Sequence, residues 1–106
     1  MTSQIGVFEL LVLMGVSAGG DRAYGVSIRQ AVEAGRGQEV SSGAVHTTLD
    51  RLSKRGLVTS TEGDAGPARA GRPRRYYALT PAGELAVRQH VGALRAMADR
   101  MPVKVR

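Results

Sequence analysis

Residues 41–58, SSGAVHTTLDRLSKRGLV, constrain this chain more than any other stretch, because their apolar stripe is too narrow to be covered on more than one side. Ser41 stands where a helix N-cap is favoured, and Gly56 follows Lys54 and Arg55 where a helix is commonly ended by glycine. At roughly 100° per residue, Val45, Leu49 and Leu52 fall within one arc and are expected in the core. Gly43, His46, Thr47, Asp50 and Lys54 lie opposite, with Arg51 at the edge. That outer face is either solvated or meant for a polar partner.

The neighbouring elements follow without a long linker. Residues 4–17 form a nearly all-round apolar helix, of the kind that becomes central in a small core. Its apolar run, Ile5–Val16, is shorter than the roughly 20 residues that span a bilayer. As a signal peptide it lacks a basic leader and carries Glu9 in the middle. It reads as a buried helix of a cytoplasmic protein that does not engage a membrane. SAGGD (17–21) is a turn, and a second helix is expected from about Ala23 to Ala34, with Ile28, Ala31 and Val32 on one face. Tyr24 reads as a core aromatic at the start of that helix. GRGQ (35–38) breaks it.

LVTST (57–61) and RYYAL (75–79) are strand-like and flank GDAGPARAGRPR (63–74), so they should pair as a two-stranded hairpin with a long basic tip. Tyr77 shares a strand face with Leu79 and belongs to the core, which leaves Tyr76 outward, near phosphate or solvent. Such a hairpin cannot stand alone and must pack on the helices. Thr80 and Pro81 then open the last helix, as cap and first helical residue.

With 106 residues the chain is one modest core. Its net charge of +6 is concentrated: Arg51, Lys54, Arg55, Arg69, Arg72, Arg74 and Arg75 face only Glu62 and Asp64, which accounts for all but one of the net positive charges. A solvated surface usually mixes its signs, so the clustering favours a binding footprint for an anion. There is no cysteine, which excludes disulfides and thiolate-ligated metals. His46 and His90 lie far apart without an acidic cluster, short of the three or four ligands a metal site needs. His90 reads as a surface residue of the last helix. No nucleophile–histidine–acid arrangement and no glycine-rich loop between strand and helix is present, so neither an enzyme nor a cofactor is expected.

Three helices, the third polar on its outer face and followed by a basic hairpin, make a mainly α chain with a small β-hairpin, a winged helix-turn-helix. In that architecture the third helix enters the DNA major groove and the hairpin follows the backbone or reaches the minor groove. The expected duplex-DNA footprint is Ser42, Gly43, His46, Thr47, Asp50, Arg51 and Lys54 from the helix, and Arg72, Arg74, Arg75 and Tyr76 from the hairpin. Asp50 is also spaced to pair with Lys54. Two other readings compete. One is a winged-helix module that docks an acidic protein, which failure to bind random duplex DNA at low salt would favour. The other is an RNA reader, for which one phenylalanine, three tyrosines and no tryptophan supply few stacking platforms.

The pieces LLVLMGVS (10–17), AYGVSIRQAV (23–32), SSGAVHTTLDRLSKRGLV (41–58) and GRPRRYYALTPAGE (71–84) together resemble the PadR family of bacterial transcription regulators, from about Phe8 to the end of the last helix. The short C-terminus is similar to the smaller PadR subfamily with a single C-terminal helix. The chain departs from the family at His46, where Tyr is frequent, and at Ser42, where Pro is. The resemblance implies a homodimeric repressor that leaves its operator when a small-molecule effector binds or a signal arrives, and a dimer with two groove helices makes a near-palindromic operator the expectation. The last helix is compatible with a dimer: Val87, Val91, Leu94, Ala98 and Met101 recur at heptad spacing. The alternative is that this stripe packs on its own domain, on the first helix in particular. The expected division is residues 1–79 for DNA binding, 80–101 for dimerisation and 102–106 as a tail.

Overall fold

The apolar run near the chain start becomes α1, Val7–Ala18, and the other elements are arranged around it. Leu10, Val12, Leu13 and Val16 are all buried, too many for one stripe, so α1 has to be covered on several sides. Those sides are taken by α2 (Gly25–Arg36), α3 (Ser42–Lys54), a small sheet and the beginning of α4 (Pro81–Arg100). The computed structural model describes residues 4–63 and 74–103. Leu13, Ile28, Leu49 and Leu52 form the centre of the core, each fully buried and worth about 1.5–3 kcal/mol of transfer free energy.

The sheet has three strands, not the two expected. β1 (Ala23–Tyr24), β2 (Val58–Glu62) and β3 (Arg75–Leu79) run antiparallel in the order β1-β3-β2. Ala23 pairs with Tyr77 and Tyr24 with Tyr76, so the second helix begins two residues later than its sequence suggests. Two residues have no period of their own, and only the partner strand makes β1 a strand. Across β2 and β3 the register sets Val58 against Leu79 and Ser60 against Tyr77. Val58 and Tyr77 are buried and Leu79 packs on the core, as the strand alternation predicts.

Caps and ties fix the helices against one another. The Ser41 hydroxyl accepts from the Ala44 N–H at 3.0 Å, and α3 stops at Gly56, whose φ of 76° is left-handed. At the α4 start the Thr80 hydroxyl accepts from the Gly83 N–H at 2.9 Å and donates to the Gly56 carbonyl at 2.7 Å. Gly83 lies so close to the Leu57 carbonyl that a Cβ there would collide with its oxygen. The α4 start is thereby docked on the beginning of β2.

Beyond that start α4 leaves the body. Ala86 is buried and Val87 packs on the core, whereas Leu94 is 57% exposed and Met97 60% exposed. His90 is half-buried, its Nδ1 2.8 Å from the Ala86 carbonyl oxygen, and is not a plain surface residue. Met101 lies just past the helix in extended backbone, so the last position of the heptad stripe is outside α4.

Candidate nucleic-acid interface

The outer face of α3 follows from the arc that is buried. Val45, Thr48, Leu49 and Leu52 point inward, which leaves Ser42, Gly43, His46, Thr47, Asp50, Arg51 and Lys54 exposed in one band. Thr48 is buried as well, a residue the arc reading did not count. The expected Asp50–Lys54 pair does not form: the ion pairs among the described residues are Arg29–Glu33, Arg55–Glu9 and Arg75–Glu62. Asp50 instead acts on the wing. Burial pushes the Tyr77 phenol above its usual range, the Arg75 guanidinium opposes this, and the Asp50 carboxylate adds to the rise.

The base of the hairpin stands beside this band. His46, Arg74, Arg75 and Tyr77 line one recess together with Tyr24, Gly25 and Val26. The His46 imidazole lies against the α2 start, where a Cβ on Gly25 would stand 3.3 Å from its Cε1. The Arg75 guanidinium donates to the Ser60 hydroxyl at 3.1 Å and approaches Glu62 at 3.8 Å, both across the hairpin. Arg74 takes another path: its guanidinium carbon sits 4.1 Å from the centre of the Tyr24 ring. Its Nε is buried and has no hydrogen-bond partner among the described residues.

Tyr76 and Tyr24 differ from their sequence reading. Tyr76 is half-buried, 6.2 Å from Tyr24 in an edge-to-face pair at 73°, with the Arg22 guanidinium 5.8 Å above it. Tyr24 is therefore not in the core but in the middle of a stack at the wing base, and sequence reasoning placed neither Arg22 nor Tyr24 there. The only available signal was the tyrosine and arginine content of residues 22–24 and 74–76, which no periodicity connects. Arg72, the remaining expected wing contact, lies outside the described residues.

One member of the basic cluster is used up inside the fold. Arg55 donates to Glu9 Oε1 at 3.3 Å and to the Gln4 carbonyl at 2.9 Å, tying the end of α3 to the beginning of α1. Among the described residues no helix is long and apolar enough to cross a membrane, and no group of three or more His, Asp or Glu residues is gathered to hold a metal.

Comparison with known proteins places this geometry. The sequence matches the model of the transcriptional regulator PadR-like family over residues 12–89. A PadR family transcriptional regulator from Eggerthella lenta is 26% identical, with 84% of this chain and 75% of that one covered and a TM-score of 0.66. RosR of H. salinarum is 28% identical, covering 96% of this chain and 82% of its own at a TM-score of 0.68. A PadR family regulator from Clostridium difficile shares the fold at 23% identity, 91% and 95% coverage and a TM-score of 0.71. No curated protein sequence matches.

Proposed function

The chain belongs to the PadR-like family of transcriptional regulators, and from that premise we propose that it is a homodimeric repressor that reads a near-palindromic operator and is released by an effector. Family members are DNA-binding regulators and not enzymes. The observation that carries the finer reading is the exposed polar band of α3 standing beside a cationic wing base. A major groove about 12 Å wide admits one helix, and its base edges need hydrogen-bonding side chains of the kind that Ser42, His46, Thr47, Asp50, Arg51 and Lys54 supply. Gly43 lets the helix start approach closely. Arg72, Arg74, Arg75 and Tyr76 serve the phosphate backbone alongside, a contribution that positions without specifying.

One winged helix offers little surface for selecting a site among many competitors, and two on one side of the duplex solve this. The free half of α4 supports such pairing, through Val91, Leu94 and Ala98, with Met101 just past the helix end and Val87 shared between this stripe and the protomer's own core. The paired groove helices would sit about 34 Å apart, one helical turn of DNA. Residues 1–79 then form the DNA-binding part, 80–101 the dimerisation helix and 102–106 a tail. A cleft of about 430 Å³ between α1 and α4, lined by Met14, Ser17, Ala18, Val87, Arg88, Val91, Gly92 and Arg95, is where an effector could act on both parts at once.

Selection of bound fragments from random duplex DNA with the purified protein tests the reading. An enriched inverted repeat with half-sites one helical turn apart is expected. Enrichment of a single unrepeated half-site, or none, would refute it.

A further inference from the structure

The recess at the wing base is about 180 Å³ in volume; among the described residues no carboxylate lines it, and Asp50 acts on it only through the Tyr77 phenol. Three independent features of it suit an anion. Arg74 brings a guanidinium stacked on the Tyr24 ring; its Nε is buried, so its terminal N–H groups are the donors that an anion would meet. His46 adds an imidazole from α3. The first turn of α2 opens onto the same space: Tyr24 is its N-cap, yet the tyrosine side chain makes no capping hydrogen bond.

We propose that this recess seats one backbone phosphodiester of duplex DNA, and that Tyr24 is the positioning residue that holds Arg74 in it. The proposal rests on the DNA-binding reading above and adds to it a site on α2 and β1, outside both the groove helix and the hairpin. Tyr24 acts through its face. A guanidinium stacked on a ring keeps its terminal N–H groups pointing outward in its own plane, free to donate to phosphate oxygens. Tyr76, edge-on to Tyr24 and covered by Arg22, holds the ring in place from behind. The α2 N–H groups and the positive end of the α2 dipole complete the seat. A phosphate fixed at the junction of α2, α3 and the wing would set the depth at which α3 enters the groove.

Salt-dependent binding to a mixed-sequence duplex tests this with four variants. Tyr24→Leu should weaken binding roughly tenfold and flatten the log–log salt dependence by about 0.9, the signature of one lost phosphate contact. Tyr24→Phe keeps the ring and should restore both. A merely structural role for an uncharged residue would move thermal stability and leave the salt slope alone. Val26 is 45% exposed at the mouth of the recess, so a carboxylate there leaves the core untouched and suits the α2 dipole. Val26→Glu should therefore stay folded and lose tenfold or more in affinity relative to Val26→Gln.

Should Tyr24→Leu fail to fold, the Val26 pair alone decides. A wild-type salt slope in folded Tyr24→Leu, or equal affinities for Val26→Glu and Val26→Gln, would overturn the phosphate seat while leaving DNA binding intact. No binding of duplex DNA by the wild type at low salt would overturn the seat together with the reading it rests on.

Discussion

Leu94→Asp separates the dimer from the fold. Leu94 is 57% exposed in the protomer, so about half of a leucine's transfer free energy remains to be gained by pairing, roughly 1 kcal/mol per chain and about 2 kcal/mol for a symmetric pair. Aspartate forfeits that gain and buries an unpaired carboxylate from each chain, at a further cost of several kcal/mol. The sum exceeds about 4 kcal/mol, which weakens the dimer at least roughly a thousandfold. The protomer itself should be indifferent, within about 0.5 kcal/mol, because Leu94 is outside the core cluster. Sedimentation velocity at micromolar concentration reads the outcome directly. The wild type should sediment at twice the 11.2 kDa chain mass, and Leu94→Asp as a single folded chain without preference for the selected operator. A monomeric wild type, or a Leu94→Asp protein that remains dimeric, would refute the α4 seam.

Three further outcomes follow from particular contacts. Gly83→Ala forces a Cβ into the Leu57 carbonyl and should destabilise by about 1–3 kcal/mol in urea unfolding; an unchanged midpoint would mean that the α4 start is not docked there. Arg55→Ala should cost about 1 kcal/mol of stability through its ties to Glu9 and Gln4, with no change in the salt slope of DNA binding, and a flatter slope would return Arg55 to the footprint. Thr47→Ala should weaken binding to the selected operator by about 1–3 kcal/mol and to random duplex by less. Equal losses on both would make Thr47 a positioning residue and not a reader of bases.

The parts of the fold that were legible are those set by local chemistry. Ser41, Thr80 and Pro81 mark helix starts through hydrogen bonds and a backbone angle that their own residues supply, and α3 and α4 begin where they indicate. The arc of Val45, Leu49 and Leu52 is buried because a helix fixes those angles wherever it lies. β1 was not legible, since Ala23 and Tyr24 become a strand only by pairing with Tyr77 and Tyr76 far along the chain. The heptad stripe shows the same boundary from the other side: spacing finds it, but only packing separates the inward Val87 from the outward Leu94.

The basic cluster carries this furthest, because a count of charges treats all its members alike and the fold does not. Arg55 is consumed by Glu9 and Gln4, and Arg75 is held along the hairpin by Ser60 and Glu62. Arg74, next in sequence to Arg75, is turned instead onto Tyr24, with no side-chain hydrogen bond to another of the described residues. An arginine already paired has fewer of its donors left for a phosphate and part of its charge neutralised, whereas a stacked one keeps its terminal donors free. Affinity for DNA should therefore depend less on the number of cations between residues 51 and 75 than on a tyrosine that carries no charge and lies outside that segment.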